Sequence, residues 1–409
     1  MNFSTPHVSL VLLSLFSELC PAGGFAGRPG GAPVPAEEQA SGSFRFINGD
    51  DWKTGSDISL GGVLFPSINL NAAWGTSSGE PEELAVGHHD PNRKGITVQN
   101  MEFSMTLRAG EHVEGFITYA AVLDQEDNWL GSVEEAFGRI KNLPGGLELR
   151  GGRYYNRFGF YNAVHPHGYQ FVNRDLLEAR MLGEDAVTTE GGELAWNIPG
   201  NNQWSGVVSL SYGHVFLEVE EEEDGEDSPF SPEGAFFSDE IVSADVRVIY
   251  HHNDFHQWTG VASFMSGDNF CGRTTEASAL GIEYQWSEKG YESGGRSFRW
   301  RTEAMYRRAG AVSMEEAESP IIRRSLHETG ISTSAIYGFN EKFRAGLGIA
   351  WVEGIGAAGL SERCRISPIV QWNLAKNMNL RLQYDHDRFG DSGSEDSVWM
   401  QANVSWGRH

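Results

Sequence analysis

The last residues of the chain constrain its fold more than any other stretch. In Val398-Trp399-Met400-Gln401-Ala402-Asn403-Val404-Ser405-Trp406 every second residue, Val398, Met400, Ala402, Val404 and Trp406, is apolar, and the residues between them are mostly polar. Alternation with a period of two is the pattern of a strand with one oily face and one wet face. The same pattern recurs backwards through the sequence, in segments of about ten residues separated by turn residues, which is the signature of a transmembrane β-barrel.

Sixteen such segments are predicted: 67–74, 97–107, 113–123, 133–140, 147–155, 190–197, 204–213, 241–250, 257–266, 277–286, 297–307, 327–337, 343–352, 365–373, 379–386 and 397–406. Outward faces stand out in Met101, Phe103, Met105 and Leu107, and in Leu280, Ile282, Tyr284 and Trp286. Trp74, Trp196, Trp204, Tyr250, Trp258, Trp286, Tyr337, Trp351 and Trp372 fall near segment ends, where amphipathic rings meet a membrane–water interface. Segment 133–140 alternates least well. Connections should be short on one side of the membrane and longer on the other. The inner set is short throughout, as in Asn142-Leu143-Pro144-Gly145-Gly146. The outer set is 75–96, 124–132, 156–189, 214–240, 267–276, 308–326, 353–364 and 387–396. The expected fold is thus all-β, an antiparallel barrel of sixteen strands, wide enough for an aqueous lumen.

Residues 1–26 read as a signal peptide, with an apolar core at 8–16 and Gly24-Phe25-Ala26 as cleavage site. Residues 27–55 read as a flexible mature N-terminus and 56–409 as the barrel. Mean hydropathy is -0.37. After the leader no stretch approaches the ~18 apolar residues of a membrane helix. A net charge of -25 argues against nucleic acid as a partner.

On strand parity the pore-lining charges are Arg108, Arg150, Arg247, Arg299, Arg301, Arg307, Arg344 and Arg381, with Glu102, Glu148, Glu283 and Glu303. Glu114, Asp245 and Asp385 share that parity. Such ladders either select ions or pair across the wall and stiffen it. Connection 156–189 is the longest and is strongly aromatic. It reads as an inward constriction loop carrying Arg157, Tyr161, His165, His167, Arg174 and Asp175, or else as a lid on the outer rim. His165-Pro166-His167, with Asp175 and Glu178 downstream, suits a zinc-like ion, although such histidines more often hold a loop in shape. His88-His89-Asp90 is a weaker pointer of the same kind. The acidic run from Glu218 to Asp227 reads as a solvated stretch. Cys271 and Cys364 fall in two outer connections, where a disulfide would staple loops over the mouth. No nucleophile motif, zinc-protease motif or phosphate loop occurs, so no enzyme and no cofactor is expected. Asp385-His386-Asp387 splits by parity, the aspartates inward and the histidine outward.

Several segments carry a resemblance. They are Leu143-Pro144-Gly145-Gly146-Leu147-Glu148-Leu149-Arg150-Gly151-Gly152-Arg153, the run Phe158 to His167, Leu182-Gly183-Glu184-Asp185, Gly192-Glu193-Leu194-Ala195-Trp196 and Leu380 to Asp387. From about residue 56 to the end the chain resembles a largely uncharacterised family of Gram-negative outer-membrane porin-like barrels. Some members are labelled zinc-regulated TonB-dependent receptors. The resemblance implies an outer-membrane barrel and leaves the substrate open.

Together these readings predict an outer-membrane channel for passive diffusion of small hydrophilic solutes or ions. Its surroundings would be membrane lipid and lipopolysaccharide; many sixteen-strand pores are trimers, which leaves a homotrimer open, and no interface strand stands out in the sequence. The alternative is a barrel closed by its loops that binds a substrate or a metal such as zinc. A soluble β-rich protein is a third reading, with no repeat of 40–50 residues to favour a propeller.

Overall fold

The computed structural model describes residues 62–124, 128–201, 203–216, 236–289, 295–313, 322–355, 360–390 and 392–407. The expected signal peptide (1–26), the segment 27–55 and the acidic run lie outside them. The described residues form sixteen strands: β1 (Gly62–Ser77), β2 (Gly95–Ala109), β3 (Val113–Leu123), β4 (Trp129–Leu143), β5 (Leu147–Tyr155), β6 (Thr188–Ile198), β7 (Trp204–Phe216), β8 (Phe237–Asn253), β9 (His256–Asn269), β10 (Thr274–Ser287), β11 (Ser297–Ser313), β12 (Ile322–Gly338), β13 (Phe343–Val352), β14 (Arg363–Ala375), β15 (Met378–Phe389) and β16 (Gly393–Gly407). Each pairs with its sequence neighbour, and β1 pairs with β16, so the antiparallel sheet closes on itself. Closure leaves no unpaired edge, the condition for a sheet to cross a bilayer.

Every predicted strand is present, and most run further toward the outer side than the alternation marked. The outer connections at 267–276 and 387–396 are therefore short links between long strands, at 270–273 and between Phe389 and Gly393. Beyond the hydrocarbon layer no lipid enforces alternation, so strands continue there without a sequence signature. Two short helices complete the fold, α1 (Pro81–Leu84) in the first outer loop and α2 (Leu176–Leu182) in the third.

The hydrophobic arrangement is inverted relative to a water-soluble protein. Large apolar side chains are exposed on the outer face, among them Leu280, Leu210, Phe264, Ile282 and Met400. Polar and charged ones, such as Asn69, Glu102, Gln383 and Asp385, are buried inside. A continuous apolar face of this kind is stable only against an apolar surrounding. At the inner rim aromatic rings touch: Trp204 and Tyr250 at 4.4 Å, Trp258 and Tyr284 at 4.7 Å, Tyr337 and Phe339 at 5.0 Å between centroids.

Two bulges interrupt the ladder well inside the strands; the other register shifts lie at strand ends, at 140–143, 237–241, 251–253 and 373–375. Between β1 and β2, Asn71 faces Asn100 and Ala72 faces Val98, which leaves Gln99 as an extra residue. Between β3 and β4, Thr118 faces Glu135 and Tyr119 faces Val133, so Glu134 is extra. A bulge turns two consecutive side chains to one face. Gln99 with Asn100, and Glu134 with Glu135, are accordingly all buried on the inside. The poor alternation of 133–140 comes from this insertion.

Candidate functional site

The third outer loop, 156–187, begins and ends on neighbouring strands. The Asn156 N–H donates to the Val187 carbonyl at 2.9 Å. Asn162 latches this neck, its amide donating to the carbonyls of Asn156 and Val187 while its oxygen accepts from the Val187 N–H. From the neck the chain turns inward. Gly159 has φ +59° and a Cβ there would collide with the Glu303 carboxylate, so the close approach to β11 requires glycine. The Gly159 N–H donates to Ser263 of β9, the Phe160 N–H donates to Glu303 at 2.8 Å, and Arg247 of β8 donates to the Gly159 carbonyl.

Further along, the loop meets the rest of the wall. Val172 N–H donates to Gln383 of β15, and Gln99 of β2 donates to the Val172 carbonyl. The Arg174 N–H donates to Asp90 of the first outer loop, and Arg363 and Arg365 donate to the Leu84 carbonyl, tying that loop down. Asp175 caps α2 by accepting from the Leu177 N–H, and its other oxygen accepts from Ser332 of β12. A carboxylate at this position also complements the helix dipole. Phe158, Leu176, Leu177, Met181 and Leu182 then bury against Met265, Met305, Ala350 and Val352, a small hydrophobic core inside the barrel. Arg180 reaches Glu328 at 2.7 Å. The loop thus touches β4 and β12, which stand eight places apart in a ring of sixteen.

On the β2–β4 side, histidines from the loops meet Glu134 and Glu135, which the β4 bulge presents, and Glu102 of β2. His165 Nδ1 lies 3.2 Å from Glu134 and its Nε2 lies 2.8 Å from Glu135. Glu102 lies 3.7 Å from His165 Nδ1 and is hydrogen-bonded to His167. His89 Nε2 contacts the other oxygen of Glu134 at 3.1 Å, while its Nδ1 faces the Gln99 carbonyl. Burial opposes the charged form of His89, but the bonded Glu134 carboxylate overrides it and raises the pKa to about 9. His165 is raised in the same way, its burial overridden by Glu134 and Glu135.

The predicted inward charges all stand on the inner face, most in pairs. Arg108 bonds Glu114, which also takes Arg139 and Lys141; Arg139 reaches Glu148 at 3.3 Å. Arg150 and Arg157 share Glu193. Arg301 bonds Glu283 at 2.7 Å and stacks over the rings of Phe160 and Tyr161, 4.6 Å from each. Arg307 bonds Glu328, and Arg381 donates to Gln401 and to the Phe171 carbonyl. Arg299 lies 4.0 Å from Glu283, and Arg344 has no carboxylate within ion-pair reach among the described residues. Both are exposed to the lumen near its inner end.

Two expectations need correction. Cys271 and Cys364 are both free. Cys271 lies in the β9–β10 turn and Cys364 on β14, four strands from β10. At ~4.8 Å per strand that is about 19 Å around the wall, far beyond disulfide reach. Asp175 and Glu178 do not join the histidines: Asp175 caps α2, and Glu178 lies 3.7 Å from Arg174, which also donates to the Glu184 carbonyl. Burial raises the Glu178 carboxyl to about 7. The weaker pointer at 88–90 proved informative, since His89 reaches the cluster and Asp90 anchors Arg174. Glu134, Glu135, Glu193 and Glu328 were missed, because their partners are distant in sequence.

No family model matches the chain. An uncharacterized protein of Aquifex aeolicus is 30% identical over 121 residues, 28% of this chain and 25% of that protein, so the match spans a quarter of the relative's length. Among solved structures, Pseudomonas putida OprB superposes with TM-score 0.52 at 10% identity, covering 85% of this chain and 94% of that one. The outer membrane channel DcaP of Acinetobacter baumannii gives 0.51 at 11%, covering 85% and 97%. The trimer form of OmpT, an outer membrane protein of Vibrio cholerae, gives 0.50 at 12%, covering 84% and 99%. These neighbours lend no support to the TonB-receptor label, whose barrels have about 22 strands. The likeness establishes the fold as a closed sixteen-strand antiparallel barrel of the outer-membrane porin type.

Proposed function

We propose that the protein is an outer-membrane channel for passive diffusion of small hydrophilic solutes or ions, with a passage narrowed by loop 156–187. The observation that carries this reading is that loop, anchored on facing walls of a closed barrel whose inner face is polar. The polar wall lowers the energy of a hydrated solute crossing an apolar layer, and the loop sets the size that passes. Single-channel recording of the detergent-folded protein in a planar bilayer tests it. Discrete open steps are expected. The same bridging contacts favour a second reading, a barrel closed by its loop that binds its ligand. A silent bilayer, with the protein folded by its heat-modifiable gel migration, would decide for that one. The proposal extends to a homotrimer set in lipid and lipopolysaccharide, read by crosslinking in detergent.

Arg299 and Arg344 supply positive charge at the inner mouth that no carboxylate closely matches. They should favour anions. The double variant Arg299→Glu, Arg344→Glu is expected to move the reversal potential under a salt gradient toward the cation equilibrium value. An unmoved potential would remove these residues from the filter.

A further inference from the structure

The cluster on β2 and β4 differs from the other buried carboxylates of the wall in having imidazoles as partners; Asp245, Glu303 and Asp385 are held by hydroxyl, amide or backbone N–H donors. Glu114, Glu193, Glu283, Glu328 and Asp387 are each met by an arginine or lysine. Glu102, Glu134 and Glu135 have none at ion-pair distance among the described residues; imidazoles stand where guanidinium groups would. Arginine cannot give up its proton and so can only pair. Imidazole can, and then offers a nitrogen lone pair to a cation.

The spacing also fits a metal. Oxygens of Glu102 and Glu134 and a ring nitrogen of His165 all lie within 4.8 Å of one another. A tetrahedral ion with bonds of ~2.0–2.1 Å separates its ligand atoms by about 3.3 Å. His165 Nδ1 lies 3.2 Å from Glu134 and 3.7 Å from Glu102, near that edge length. His89 and His167 touch the same two carboxylates from the other side and can complete or orient the ligand set. The ligands come from four separate stretches of the chain: two wall strands and two loops.

We propose that Glu102, Glu134 and His165, completed by His89 or His167, form a binding site for a divalent transition-metal cation of the zinc class, which staples the third outer loop, and through His89 the first, to the wall. Mixed nitrogen and oxygen donors select such ions over calcium or magnesium, which prefer oxygen alone. The stapling role rests on the inward-loop reading of the channel; the site does not. An ion here bridges β2, β4 and loop 156–187, so its occupancy holds the loop across the lumen.

Calorimetric titration of the chelator-stripped, full-length protein in detergent with zinc chloride tests the site. One saturable site is expected. Glu102→Gln and His165→Gln should each weaken it at least about tenfold, whereas His214→Gln, on an exposed pair with Asp239, should leave it unchanged. Cobalt in place of zinc should give the intense visible absorption of a four-coordinate ion. Absence of saturable binding by the folded protein would overturn the proposal. So would an unaltered isotherm in the Glu102→Gln, His165→Gln double variant, shown folded by heat-modifiable migration. In the bilayer, zinc should lower conductance of the wild type and not of that variant. Zinc binding without channel steps would keep the site and sink the channel, and steps without binding would do the reverse.

Discussion

Replacing residues 158–185 by a two- to four-residue Gly-Asn turn is expected to raise single-channel conductance severalfold. The excision leaves the barrel wall intact, because Asn156 and Val187 are already hydrogen-bonded neighbours at the top of β5 and β6. A short turn can join them without disturbing the ladder. What disappears is the segment that contacts β4 on one side and β12 on the other. Ion flow through a sixteen-strand barrel is limited by its narrowest section, so clearing that section changes conductance more than any change at the mouth. The variant should also lose heat resistance on gels. Leu176, Leu177, Met181 and Leu182 leave their buried positions, each forfeiting roughly 1.5–3 kcal/mol of burial. Unchanged conductance in a variant that still migrates as a folded barrel would place the permeation path away from the loop.

The second large effect concerns the outer face. Leu280 sits in the middle of β10, is 58% exposed, and has Ala262 and Ala304 as strand partners. On a water-facing sheet Leu280→Arg would be nearly neutral. On a bilayer-facing one, near the midplane, it should cost about 2–4 kcal/mol. Refolding into vesicles of short-chain lipid, followed by urea titration, measures that difference. Glu283→Gln, whose side chain faces inward against Arg301, serves as the comparison, since its effect should not depend on bilayer thickness. A stability for Leu280→Arg equal to the wild type would mean that this face does not meet lipid.

The barrel was legible in the sequence because lipid imposes a strict rule on every second residue, and the turn residues mark where each run ends. The limits of that legibility follow the same rule. Ile241 and His327 begin the predicted runs, yet their strands start at Phe237 and Ile322, toward the outer ends where alternation is no longer enforced. Candidate site residues on the strands followed from parity alone. The histidine cluster did not. His165 and His167 were conspicuous, but Glu134 lies 31 residues before His165 and stands at a position that alternation alone would turn outward. Asp175, close in sequence to both histidines, was drawn off by the need of α2 for a cap. The two cysteines show the converse error, since both belong to the outer side and nothing in sequence spacing reports their angular separation.

The bulges at Gln99 and Glu134 bear on how such a wall can diverge. Excising one residue from most positions in a strand would rotate half of it, turning lipid-facing side chains inward. Excising Glu134 would not, because Val133 already points out and Glu135 already points in, so the shortened strand would alternate regularly. Gln99, between Val98 and Asn100, has the same property. A single codon lost or gained there changes the chemistry of the interior while the membrane-facing surface stays as it was. Length variation in lineages of this barrel should therefore collect at these two positions within the strands.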